Sequence, residues 1–240
     1  MERLVHRRLR VTARLLGVLA VFSLPAALEP SEPICQTTDD TSGEFTDSRD
    51  GNVYRWVKIG DQVWLAENLR FKTKTGSWCW ENTEDSCVTR GRLYNWPAAM
   101  QAAPPGWHVP SDDEWKKLEI ALGLTPEQAD EEAFRIDDDS LLAGKIKRTD
   151  AWRESYAGTP ISITNESGFS AVGSGIYANG SFNHNGYAGW WTSTDSDSLA
   201  WIRHIGFFDN TIDRVLNRKE FAYAVRCVRD RSDSTGSEQE

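Results

Sequence analysis

The stretch GWHVPSDDEWKKLE, residues 106–119, constrains the fold more than any other part of the chain. Pro110 leads into Ser111, and Glu114 follows three residues later. A serine at a helix N-cap accepts from the backbone N–H of the third helical residue, whose glutamate reaches back to the serine N–H. Asp112 and Asp113 add negative charge at the positive end of the helix dipole. Trp115, Leu118 and Leu122 then share one face at helical spacing, and Gly123 stops the run. Trp107 and Val109 precede the cap. The stretch therefore predicts a short amphipathic helix entered from an apolar, Trp-containing strand end. Its four polar residues read as capping groups; no nucleophile or metal partner lies nearby to make them a catalytic pair.

Around this helix the pattern is one of short strands. FTDSRDGNVYRWVKIGDQVWLAENL holds β-branched and aromatic runs broken at Asp50-Gly51 and Gly60-Asp61. The second break is a two-residue turn and predicts a hairpin. In SWCWENTEDSC, Cys79 and Cys87 bracket a small polar loop and predict a local disulfide. Zinc would need further thiols or a nearby His at ligand spacing. GRLYNWPAAMQAAPPG predicts a short helix with Pro97 in its first turn. Thr125-Pro126-Glu127-Gln128 predicts another, running to about Phe134. Asp137, Asp138 and Asp139 lack the glycine and distal glutamate of a calcium loop and read as a solvated turn or cap. From Gly168 to Asp230 everything predicts strands and turns. In AWIRHI, Ala200, Ile202 and His204 fall on one face and Trp201, Arg203 and Ile205 on the other. GSGIYA mimics a dinucleotide-binding fingerprint, but no helix pattern follows it.

The chain ends differ from this body. An Arg-rich start (Arg3, Arg7, Arg8, Arg10, Arg14) precedes LLGVLAVFSLPAAL, an apolar run too short for a comfortable membrane span. Residues 1–28 are expected to be a signal peptide, 29–44 a polar linker, 45–230 the folded body and 231–240 a disordered tail. That points to a secreted or cell-surface protein with no membrane span in its mature form. The formal net charge of −9 argues against a nucleic-acid partner.

The chemistry-bearing residues do not form an enzyme signature. His108, His184 and His204 lack a metal-ligand or triad spacing, and no cofactor is indicated; calcium has no motif. The segment SFNHNGYAGWWTSTDSDSLAW is richer. It places Asn183, Asn185, Asp195 and Asp197 among Tyr187, Trp190, Trp191 and Trp201. Amides and carboxylates beside aromatic faces suit a sugar-binding surface. The same pattern also suits a polar turn over a Trp-rich core. Asn183, Asn185, Tyr187, Trp190, Asp195, Asp197 and Trp201 are the candidate ligand residues. Three functions follow: a non-catalytic binding or adhesion module with a glycan or a surface protein as partner; a polysaccharide hydrolase using carboxylates such as Asp112, Asp195 or Asp209; or a structural envelope protein.

Seven blocks, in order, resemble the Fibrobacter succinogenes major paralogous domain: DGNVYRWVKIGDQVWLAENLR, WCWENTEDSC, GRLYNWPAAM, GWHVPSDDEW, NESGFSAV, GYAGWWTST and FAYAVRCVRD. The resemblance implies a secreted or surface protein of bacteria. It also implies an α+β, C-type-lectin-like fold, with short helices packed on a twisted antiparallel sheet and long irregular loops. It brings no established activity. Relatives carry a cysteine before the GWH block to partner the cysteine of the final strand; here that place reads Ala102-Ala103-Pro104. Cys227 is thus expected to be free and buried, or else joined to Cys35. The calcium-dependent sugar motifs of true lectins are absent, as is the C-terminal cysteine pair of sulfatase-activating enzymes.

Overall fold

A computed structural model describes residues 40–132, 141–152, 155–156, 159–208 and 210–231, all within the unit Asp39–Glu240. The signal and linker assignments up to residue 39, Cys35, Phe134, the Asp137–Asp139 run, Asp209 and the tail from 232 lie outside the described residues.

The chain begins with three antiparallel strands, β1 (Ser42–Thr46), β2 (Val53–Ile59) and β3 (Gln62–Leu65). Ser42–Glu44 were expected in the linker; they instead pair with Arg55–Val57 of β2. The β2–β3 hairpin closes where Ile59 opposes Gln62, with Gly60 at φ +60°. Gly-Asp is suited to this turn because glycine takes the left-handed conformation without a Cβ clash.

Next come β4 (Ser77–Trp78), a helix α1 (Glu84–Arg90) and β5 (Leu93–Asn95). The Cys79–Cys87 disulfide ties α1 to the end of β4. The predicted helix over GRLYNW is shorter than expected, because Leu93 and Tyr94 pair as strand with β4. Asn95 then caps α2 (Trp96–Ala99), its side chain accepting from the Ala98 N–H. β6 (Trp107–His108) leads into α3 (Asp112–Ala121), where the predicted reciprocal cap is present. The Glu114 N–H donates to Ser111 Oγ at 3.2 Å, and the Ser111 N–H donates to Glu114 Oε2 at 2.8 Å. The same device, Thr125 with Gln128, starts α4 (Pro126–Asp130), which ends short of Phe134. α5 (Leu142–Ile146) and a two-stranded ladder of β7 (Ser155–Tyr156) and β8 (Thr159–Pro160) follow.

The C-terminal half is strands, as the sequence predicts: β9 (Ile176–Ala178), β10 (Ser181–Asn183), β11 (Tyr187–Ser196), β12 (Leu199–Gly206), β13 (Asp213–Arg218), β14 (Ala222–Tyr223) and β15 (Val228–Arg229). Asn179 and Gly180, at φ +54° and +78°, make the β9–β10 turn. Both central residues at positive φ match the right-handed twist of a hairpin. GSGIYA therefore ends in a strand, with no nucleotide-binding helix after it.

Among the described residues the strands form sheets in the orders β1-β2-β3-β15-β6, β10-β9-β14-β5-β4 and β11-β12-β13. The fold is α+β, few short helices on mostly antiparallel sheets. The β11–β13 sheet buries apolar side chains on both faces. Ala188, Trp190 and Ile205 join a cluster with Trp64, Trp115 and Phe169 on the α3 side. Trp191, Ala200, Ile202 and Val215 join Tyr94 and Tyr223 on the other. Alternation of side chains along a strand sends neighbouring residues to opposite faces, so Trp190 and Trp191 enter different clusters. Arg226, fully buried, spends its donors on the Leu65 and Phe169 carbonyls and on Asn68 Oδ1. Burial pushes it down to about 9, which still leaves it charged at neutral pH.

Candidate functional site

A groove of about 710 Å³ runs along one face of the β11–β13 sheet. The register of β12 with β13 builds its floor. Ile202 opposes Val215 and His204 opposes Asp213, all on the face away from α3. The β9–β10 hairpin and the following loop supply a wall, with Asn179, Asn183, His184 and Tyr187. Phe208, Phe221 and Tyr223 complete an aromatic border.

Tyr187 sits opposite Gly206, which has no side chain to meet it. Its ring therefore falls on the diagonal neighbour His204, stacked at 5.1 Å with an interplanar angle of 16°. His184, Phe207 and Phe208 each meet the Tyr187 ring edge-on at 5.4 to 6.0 Å. Phe208 remains 39% exposed, so the groove presents an aromatic surface to solvent. The polar groups are amides in the main. Asn217 Nδ2 donates to the Tyr223 hydroxyl at 2.6 Å. Asn183 Nδ2 is used by the Ser181 carbonyl at 3.0 Å, which leaves its Oδ1 as an acceptor. Asp213, the carboxylate lining the groove among the described residues, lies 3.5 Å from His204 Nδ1.

The seven residues singled out in the sequence do not share this place. Asn183 and Tyr187 line the groove. Asn185 faces the other side of the loop and accepts from Arg90 Nη1 at 2.8 Å. Trp190 is a correction: it is fully buried, and its indole N–H donates to Asn68 Oδ1 at 2.8 Å, so it has no face for a ligand. Trp201 is a second correction, since it lies on the opposite face of β12 beneath the Arg214 guanidinium at 3.8 Å. Asp195 and Asp197 are at the β11–β12 turn, eight or more residues along the hairpin from Tyr187, about 25 Å at strand rise. There Asp195 pairs with Lys219, and the Asp197 carbonyl accepts from the same ammonium at 2.7 Å. Sequence proximity along a hairpin misled because the two ends of a strand are far apart. His204, Phe208, Asn217 and Tyr223 were not singled out as ligand residues; their convergence depends on the β12–β13 register, which no local signal carries.

Of the carboxylates weighed for hydrolysis, Asp112 and Asp195 are engaged by cations, and Asp209 lies outside the described residues. Asp112 is buried between Arg203 Nη1 at 2.7 Å and Arg214 Nη2 at 2.8 Å. Burial opposes its ionisation, but the two guanidiniums outweigh that and hold it well below the usual carboxylate range. It therefore anchors α3 to β12 and β13 in addition to its place in the first helical turn.

Cys79 and Cys87 form the expected disulfide, and Cys227 is buried and unbridged, its thiol pushed up to about 12 by burial. The family model of the Fibrobacter succinogenes major domain matches residues 57–229. The chain belongs to this family. The matched span includes α3, the disulfide, and every groove residue named above. No curated protein and no solved structure matches the chain.

Proposed function

We propose that this member of the family is a non-catalytic carbohydrate-binding module of an exported or surface-displayed protein, and that its ligand lies in the Tyr187–Phe208 groove. One observation carries the reading: an open, aromatic-bordered groove with amide acceptors and donors set into it. Sugar rings offer an apolar C–H face to aromatic rings and hydroxyls to amides, and this groove supplies both. The Arg-rich, apolar N-terminal sequence and the disulfide agree with export. No helix of the described residues is long and apolar enough to cross a membrane.

Calcium is not needed in this reading. The ion takes six to eight oxygens with several carboxylates among them, and the groove offers Asp213. A glycan array probed with the full chain should give selective binding that persists in chelator. Phe208→Ala should weaken it by about tenfold, the scale of one lost aromatic contact, without lowering the unfolding midpoint appreciably. Unchanged binding by Phe208→Ala would remove the groove from consideration.

A further inference from the structure

We propose that the bound polymer is acidic, and that the chain reads its carboxylates with an arginine-lined cleft on the far side of the Asn183–Tyr187 loop. The proposal rests on the groove as the sugar-binding face. The cleft consists of two joined hollows of about 270 and 300 Å³, which share Thr89, Arg90, Arg148 and Val172. Arg55 and Arg70 line the first hollow as well. Four arginines thus line the first hollow in a chain whose net charge is −9.

Among the described residues, Glu67 is the carboxylate lining this cleft, and it is engaged by Arg55 at 3.1 Å and by Arg70 at 3.8 Å. Arg148 has Asp150 at 2.6 Å, an exposed neighbour outside the cleft lining. Arg90 differs. It is held by neutral groups, donating to Asn185 Oδ1 at 2.8 Å and lying over the Trp80 ring at 5.7 Å. Among the described residues no carboxylate pairs with it. A guanidinium has five N–H donors in a planar fork, and a planar carboxylate is its geometric complement. Glycine backbone also lines the second hollow: Gly186, at φ +97°, crosses so near Gly173 that a Cβ on Gly173 would come to 3.3 Å from it.

Groove and cleft meet at consecutive residues. Asn183 and His184 line the groove, and Asn185 and Gly186 line the cleft. A chain of sugars laid across this loop would put one ring against the aromatic border and a neighbouring carboxylate against Arg90 and Arg148. Uronic-acid polymers have that chemistry.

The test uses oligomers of galacturonate, glucuronate and mannuronate, each beside its fully methyl-esterified form, titrated into the full chain. Esterification removes the charge and leaves the sugar backbone unaltered. At least one acid form should bind about tenfold more tightly than its ester, with the difference shrinking as salt is added. Arg90→Gln/Arg148→Gln should bring that acid form down to the affinity of its ester. Equal affinity for acid and ester, with both weakened by Phe208→Ala, would overturn the acidic ligand and leave the groove standing. A preference for acid that survives Arg90→Gln/Arg148→Gln would overturn the cleft. Binding of neither form of any oligomer would overturn the proposal and, with an empty glycan array, the groove reading also.

Discussion

His108 joins three parts of the chain through one imidazole. Its Nε2 lies 2.9 Å from Glu114 in α3, and its Nδ1 lies 2.6 Å from Asp230 just after β15. The hydrogen bond to Glu114 raises its pKa; partial burial opposes this, and Asp230 adds to the rise. Glu114 moves the other way: burial works against its ionisation, but His108 and Ser111 bring it down to about 2. A histidine whose folded pKa is raised contributes stability that is full below about pH 6.5 and is lost as pH climbs through the raised value. Wild type should therefore exceed His108→Gln in urea stability by on the order of 1 kcal/mol at about pH 6, the half-exposed site being screened by solvent. The gap should close at high pH. A gap that is constant from about pH 6 to pH 9 would mean the imidazole acts by packing rather than charge. The sequence showed Ser111 and Glu114 because a capping box is local chemistry. It did not show that Asp112, next in line, is buried between two arginines from strands more than ninety residues away.

At the scale of elements, turns and caps were legible and pairings were not. Gly60-Asp61, Ser111 and Thr125 each act within a few residues, and each ends or starts an element where expected. By contrast Leu93–Asn95 looked helical until paired with β4 and β14. The disulfide loop shows the same division. Its existence followed from spacing, but its role follows from packing: Trp80 lies against Phe182 of β10 at 5.4 Å and fills the space above Gly175, where a Cβ would meet the ring at 1.9 Å. The loop thus supports the hairpin that walls the groove. Closing a loop of eight-residue separation contributes about 2 to 3 kcal/mol by chain entropy. Cys79→Ser/Cys87→Ser should lose that amount in denaturant unfolding, and wild type in reductant should match it. A loss below about 0.5 kcal/mol would show that packing alone holds the loop.

For the molecule as a whole, the two-sided burial of the β11–β13 sheet decides where function can sit. Trp190 and Trp191 are taken up by opposite clusters. Solvent reaches the face away from α3 along the groove, which Tyr187, His204, Phe208 and Asn217 line. The α+β class and the family were legible from the order of local motifs. The groove was half legible, through Asn183 and Tyr187, because its other residues arrive by strand register. The hairpin tip with Asp195 and Asp197, the other place where polar and aromatic residues gather in sequence, is occupied by Lys219. NMR shift mapping with a glycan selected on the array separates the two ends of this hairpin directly. The groove account predicts perturbations centred on His184, Tyr187, His204 and Phe208 and none at Asp195 or Asp197. Perturbations centred on Asp195, Asp197 and Trp201, with the groove residues unmoved, would contradict it.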